Sequence, residues 1–340
     1  MIKRDHAREH TLRQLFWECT LRCNLNCRHC GSDCHTSSTQ RDMPLGDFLG
    51  VLDQIAPHVD PHKVFVIITG GEPLMRPDLE QCGAAIYAKG FPWGMVTNAL
   101  AMTEKRYHAL RRAGMRSATV SLDGLREEHN AMRGHPQSFD RATAAIRMMG
   151  ADKGFVFDVV TCVNRKNLAQ LDQIKELLIS LGTTRWRLFT IFPSGRAAND
   201  PDLQLTNNEF RQLLDYIARN RKSEQRISLS YGCEGFLGNY EGEVRGNFFC
   251  CNAGLSVGSV MADGSISGCT SIRANYSQGN IYRDNFWDVW QNRFEKFRNR
   301  EWMRKDECAD CSMFRYCEGD GMHLRDDEGK LMFCHLKRLK

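Results

Sequence analysis

Residues 63–97 read KVFVIITGGEPLMRPDLEQCGAAIYAKGFPWGMVT. An apolar run of strand length, Lys63–Thr69, runs into two glycines. A helical pattern follows over Pro77–Lys89, and then a second apolar run, Trp93–Thr97. Strand, loop, helix and strand at these lengths describe a parallel β-α-β unit, because parallel neighbours need a crossover that a helix supplies.

The same alternation extends outward on both sides. Toward the N-terminus, Leu12–Trp17 reads as a strand. Pro44–Val59 reads as a helix, with Pro44 in its first turn and Leu45, Phe48, Leu49, Leu52 and Ile55 on one face. Toward the C-terminus, Thr103 caps a helix ending near Gly114, and Arg116–Leu122 is a strand. Ser138 caps a helix ending near Gly150, before a strand at Phe155–Val163. Asn167 caps a helix closed by Gly182, Arg185–Phe192 is a strand, and Thr206 starts a helix to about Arg219.

Six strand–helix units imply an α/β fold with a parallel sheet, and since eight units close a barrel, six suggest an open, partial (β/α)6 barrel. After about residue 225 short strands, glycines and cysteines dominate, with one helix near Asn285–Arg298. The expected division is a partial barrel over 1–222 and a small cysteine-rich α+β domain over 223–340.

Composition narrows the class. A formal charge of +5 on 340 residues is small, and the basic tail Lys337, Arg338, Lys340 reads as solvated, so nucleic acid is not an expected partner. The longest apolar run, Val64–Ile68, is far too short to span a membrane, and Met1–His10 lacks the apolar segment of a secretory signal. The expected location is the cytoplasm, where disulfides are rare. Fifteen cysteines there need another explanation. Five fall between Cys19 and Cys34 and four between Cys308 and Cys334, which points to metal.

Cys23-x-x-x-Cys27-x-x-Cys30 sits in the loop after the first strand, at the mouth where barrel enzymes place their chemistry. Three thiolates can hold three irons of a cubane and leave the fourth open. A zinc knuckle wants four ligands, and Cys19 or Cys34 could supply the last, so spacing alone leaves both readings open.

Together with the loops after the later strands, the chain resembles the radical S-adenosylmethionine (SAM) superfamily. Those loops carry Gly70-Gly71-Glu72-Pro73, then Thr97-Asn98, then Ser121-Leu122-Asp123-Gly124, followed by Arg133-Gly134. The resemblance implies a SAM-binding [4Fe–4S] cluster on Cys23, Cys27 and Cys30. It implies SAM contacts from Gly70, Gly71, Glu72 and Pro73, with Glu72 toward the methionine amine. Asn98, Ser121 and Arg133 would then serve the ribose and carboxylate. Asp123 is equally readable as a helix or turn cap. The implied chemistry is reductive cleavage of SAM to a 5′-deoxyadenosyl radical that takes hydrogen from a substrate, fed by an electron donor such as flavodoxin or ferredoxin.

The C-terminal cysteines resemble the SPASM extension of peptide-modifying members of that superfamily. Asp263-Gly264 reads as a hairpin turn before Cys269, and Cys308-x-x-Cys311, Cys317 and Cys334 follow. The resemblance implies one or two auxiliary [4Fe–4S] clusters: one complete on Cys308, Cys311, Cys317 and Cys334, the other on Cys251 and Cys269. A zinc ribbon is the alternative for the complete set. The pattern expects a cysteine at 321, where Gly321 stands. Cys250, Cys233, Asp320 and His323 are the possible substitutes.

The expected function is modification of a peptide or small protein. Biosynthesis of a cofactor or other small molecule is the second reading, and a zinc or iron–sulfur scaffold the third. The stretch Glu18–Cys34 also resembles the subgroup of rSAM/lipoprotein systems. With about eleven residues before the first strand, a precursor is expected to bind directly or through a separate recognition protein.

Overall fold

The computed structural model describes residues 7–232 and 234–340. Seven parallel strands form its framework: β1 (Gln14–Glu18), β2 (Phe65–Thr69), β3 (Trp93–Thr97), β4 (Met115–Ser121), β5 (Val156–Val163), β6 (Arg185–Thr190) and β7 (Ser228–Tyr231). They lie side by side in chain order. The six expected strands are present, and β7, short and polar at its start, adds a seventh beyond β6.

Between them run α1 (Leu45–Ile55), α2 (Leu79–Ala88), α3 (Glu104–Arg112), α4 (Arg126–Arg133), α5 (Ser138–Ala151), α6 (Leu171–Ser180) and α7 (Asn207–Ser223). Outside β3, which is buried almost throughout, the strands alternate between a face buried under these helices and a more open face. In β5, Phe157, Val159, Thr161 and Val163 are buried, whereas Asp158, Val160 and Cys162 are only partly so. That second face is the concave interior of the partial barrel.

Two of the expected caps are built as read. Thr103 accepts from the Arg106 N–H at 3.2 Å, and Thr206 forms a reciprocal capping box with Glu209. Two others do different work. Ser138 does not cap α5; its hydroxyl meets His129 Nε2 at 3.0 Å. Asn167 is followed by a 3-10 turn, and its buried amide serves the site described below. Helix α4 escaped the periodicity reading because it is short and polar.

The C-terminal part grips both edges of this sheet. Strand β8 (Val257–Val260) pairs parallel with β1. Strand β9 (Ser265–Ser267) returns antiparallel through the expected Asp263-Gly264 turn, with Gly264 at φ 84°, and β10 (Gly279–Asn280) completes a ten-stranded sheet. The expected single helix is split into α8 (Phe286–Asn292) and α9 (Glu295–Arg298). Trp290 donates to the His10 carbonyl at 3.0 Å, which fastens α8 beside β1. At the other edge the chain end lies on α7, where Arg338 stacks over Phe210 at 4.6 Å. No helix among the described residues is long and apolar enough to cross a membrane.

Candidate active site

The loop after β1 carries Cys23, Cys27 and Cys30 and is held from three sides. From β2, the Gly71 N–H donates to Thr20 O at 2.8 Å and the Glu72 N–H to Arg22 O at 2.9 Å. This backbone-to-backbone approach explains the two glycines. A Cβ at Gly70 would fall 2.1 Å from Thr20 O, and one at Gly71 2.3 Å from Arg22 O. Gly70 also has φ 145°. From α4, Met132 O accepts from Arg28 N at 2.9 Å. From the segment after β6, Arg196 donates to Cys27 O at 2.7 Å and Cys34 O at 3.1 Å, which straps the loop down.

A cavity of about 230 Å³ opens between these elements. Cys23, Cys27 and Cys30 line it with Gly70, Gly71, Glu72, Asn98, Ser121 and Arg133. Of the residues expected at this mouth, only Pro73 lies off the wall, buried in a 3-10 turn. Asn98 reaches across to the cysteine loop, donating to Asn24 Oδ1 at 2.9 Å. Arg196 also lines the cavity and was not foreseen.

Glu72 is buried, with its carboxylate taking three protein donors. Leu74 N–H lies at 3.0 Å, Thr97 Oγ1 at 2.7 Å and Asn98 N–H at 2.7 Å. Burial still pushes this carboxyl above its ordinary range, against those donors.

Beneath the cysteine loop, Asp123 is not a turn cap but half of a buried ion pair, with Arg133 Nη2 at 2.6 Å. Burial would raise the Asp123 carboxyl, yet the Arg133 guanidinium, with the Cys162 N–H, holds it below its ordinary range. The Cys162 N–H donates to Asp123 Oδ1 at 2.9 Å, and Asn167 Nδ2 to Asp123 O at 2.6 Å. His129 Nδ1 accepts from the Asp123 N–H at 2.9 Å. Burial drives His129 down to about 3 and His29 to about 4, so both are neutral. His129 and Arg133 lie four apart on one face of α4, the spacing that could have flagged this short helix.

Burial raises Cys23 to about 12 and also raises Cys27. Cys30 behaves oppositely: a hydrogen bond from Cys34 brings it down to about 5 despite burial. A bound cation compensates buried thiolates of this kind, coupling deprotonation to metal uptake.

The donor geometry tests what the thiols suit. Tetrahedral zinc, with zinc–sulfur bonds of about 2.3 Å, needs sulfurs about 3.8 Å apart. Among the described residues, only His29, Asp123 and Cys162 bring three such ligand atoms within 4.8 Å of one another. No three thiols in either cysteine group come that close. Wider spacing suits the larger iron–sulfur cubane. Two polar atoms on the cavity residues, Arg133 Nε and His29 Nδ1, are buried without a hydrogen-bond partner. Such atoms are costly to leave unpaired, and a polar ligand in the cavity would satisfy them.

In the C-terminal part, the thiols of Cys308, Cys311, Cys317 and Cys334 are electrostatically coupled neighbours. Helix α10 (Phe314–Cys317) brings Cys317 to the group, and buried Arg325 donates to Cys308 Sγ at 3.4 Å. Burial lifts Cys334 to about 11. Cys251 and Cys269 face each other separately, and against burial Arg300 holds Cys251 below the usual thiol range. The space a side chain at Gly321 would need is filled. A Cβ there would meet Glu234 O and the His323 ring, both at 2.7 Å. Asp320 is committed elsewhere, accepting from Phe236 N–H at 2.9 Å and facing His335 at 3.3 Å. Cys233 lies outside the described residues.

This arrangement carries a prediction. Iron and sulfide counts on anaerobically reconstituted protein should show two robust clusters, about eight irons, and a third that is labile or missing. Cys251→Ala/Cys269→Ala should leave those two in place. Loss of a whole cubane's iron from a stable three-cluster protein would sink the idea.

The fold and this cavity define an enzyme built to bring SAM to an iron–sulfur cluster. The Radical SAM superfamily model matches residues 17–178, and the SPASM iron–sulfur cluster-binding domain model matches residues 250–312. The chain belongs to the radical SAM superfamily, and it binds a [4Fe–4S] cluster and SAM in its barrel and auxiliary iron–sulfur in its SPASM domain. It is 32% identical over 320 residues to the mycofactocin maturase MftC of Mycolicibacterium smegmatis, covering 91% of this chain and 77% of that one. It is 27% identical over 332 residues to an AdoMet-dependent heme synthase of Methanosarcina barkeri, 90% of each chain. Its fold matches Streptococcus suis SuiB bound to S-adenosylmethionine, with a TM-score of 0.72, 17% identity, and coverage of 93% of this chain and 75% of that one.

Proposed function

We propose that this enzyme modifies a peptide or small protein by abstracting hydrogen from it, with Cys23, Cys27 and Cys30 as ligands of the SAM-cleaving cluster. The observation that carries the reading is the convergence of those thiols, the Gly70-Gly71 loop and Arg133 on one cavity with unpartnered polar atoms in its wall. When bound, the cluster supplies the electron that splits SAM into methionine and the hydrogen-abstracting 5′-deoxyadenosyl group.

The chain's own residues do the positioning. Arg133, fixed by Asp123, offers its free Nε–H to the methionine carboxylate. Glu72 shapes the loop that receives the methionine amine and keeps Asn98 turned toward the cysteine loop. Ser121 and Asn98 serve the ribose. The strap through Arg196 limits water at the cysteine loop. Cys308, Cys311, Cys317 and Cys334 hold an auxiliary cluster, and a flavodoxin- or ferredoxin-class protein is the reductant. Fifteen cysteines suit a reducing compartment, the cytoplasm.

Peptide modification is supported by the identity to mycofactocin maturase across 91% of this chain. A second reading, cofactor biosynthesis, is favoured by the two-way 90% coverage with the heme synthase. The test is anaerobic incubation with SAM and dithionite. Formation of 5′-deoxyadenosine is expected under both readings. Co-expression with short proteins encoded beside the gene is expected to give a peptide mass change. A modified small molecule with every such peptide unchanged would reject the first reading in favour of the second.

A further inference from the structure

The concave face of the sheet carries a second cavity, of about 310 Å³, at the starts of β4–β7. Its polar wall is Ser117, Asp158, Arg185, Arg187, Ser228 and Ser230. Ser117 shares one face of β4 with Ser121, which lines the SAM cavity. Four residues at about 3.3 Å each place the two about 13 Å apart along one face of β4.

The two arginines differ. Arg187 is committed: it pairs with Asp158 and donates to Thr119 Oγ1 at 3.2 Å. Arg185, exposed at the start of β6 and in register with Ser228, has no hydrogen-bond or ion-pair partner among the described residues. Two guanidinium groups and one carboxylate leave the cavity with one net positive charge. Gly94 on β3 lets Ser117 pack directly against that strand: a Cβ at 94 would fall 2.4 Å from Ser117 Oγ and 3.1 Å from the Phe65 ring.

We infer that this cavity is an anion subsite, in which Arg185 and the serine hydroxyls hold a carboxylate of the substrate. The inference rests on the proposed function, in which a substrate is brought to the SAM-cleaving site. Held there, the carboxylate would orient the rest of the molecule toward the reacting centre about 13 Å up the sheet. A peptide carboxylate and a tetrapyrrole propionate offer the same chemistry.

The test is equilibrium binding to anaerobic holo-protein with two probe pairs. One is a dye-labelled Ala-Ala-Glu-Ala-Ala with an amidated C-terminus against its Gln counterpart; the other is coproporphyrin III against its tetramethyl ester. At least one carboxylate probe is expected to bind roughly tenfold more tightly than its neutral partner, as a charge-assisted contact implies. Arg185→Gln and Ser228→Asp should each erase that preference, and Arg185→Lys should keep part of it. A preference in the peptide pair alone assigns a peptide; in the porphyrin pair alone, a tetrapyrrole. No preference in either pair, or one that survives Arg185→Gln or Ser228→Asp, overturns the subsite. Binding is read without turnover, so 5′-deoxyadenosine formation judges the proposed function separately.

Discussion

Cys27→Ala, reconstituted anaerobically and supplied with SAM and dithionite, should form 5′-deoxyadenosine at least roughly a thousandfold more slowly than wild type, a modest slice of the acceleration enzymes provide. Cys27 is buried, and its sulfur lies 3.7 Å from Arg133 Nη1. Without it three thiols remain at the cavity wall, Cys23, Cys30 and Cys34, and a second iron of a cubane held there would lack a protein ligand. Cys34 cannot stand in without moving, because its thiol is engaged with Cys30 and Ser32 O. The change also removes the sulfur that Arg133 contacts, but the Asp123 pair keeps the guanidinium in place. Folding should therefore survive, and circular dichroism should match wild type. Undiminished product would mean that the three-cysteine loop does not carry the chemistry.

The barrel was legible because its signals are local. Apolar runs such as Lys63–Thr69, capping residues such as Thr103 and Thr206, and cysteine spacing all act within a few residues. What escaped reading depends on contacts distant in sequence. Strand β7 has only four residues, and its identity comes from pairing with β6, not from its composition. Asn167 looks like a helix cap, yet its amide belongs to Asp123, 44 residues earlier. Arg196 follows Gly195, whose Cβ would fall 2.4 Å from Cys30 O, so the fit of that segment against the cysteine loop exists only in three dimensions. The same holds at Gly321. The missing cysteine is visible in the sequence, but the His323 ring that occupies its space is not.

Glu72→Ala should weaken SAM binding at least roughly tenfold, about 1.4 kcal/mol, while iron content stays near wild type. The hydrogen bonds of the side chain go to Leu74, Thr97 and Asn98, and the tie between the β2 loop and the cysteine loop runs through the backbone of Gly71 and residue 72, which alanine retains. What alanine loses is the acceptor for Leu74 N–H, Thr97 Oγ1 and Asn98 N–H. An unsatisfied buried donor costs about 1–3 kcal/mol, so the turn after β3 should relax and Asn98 should lose its fixed aim at Asn24. Glu72→Gln separates geometry from charge. Its amide oxygen can still accept, but its NH2 faces a donor, so it should fall between wild type and alanine. Isothermal titration with SAM on the reconstituted protein, alongside iron analysis, reads both effects. A loss of iron in Glu72→Ala equal to that in Cys27→Ala would show instead that the carboxylate supports the cysteine loop itself, and the SAM-positioning role would be wrong.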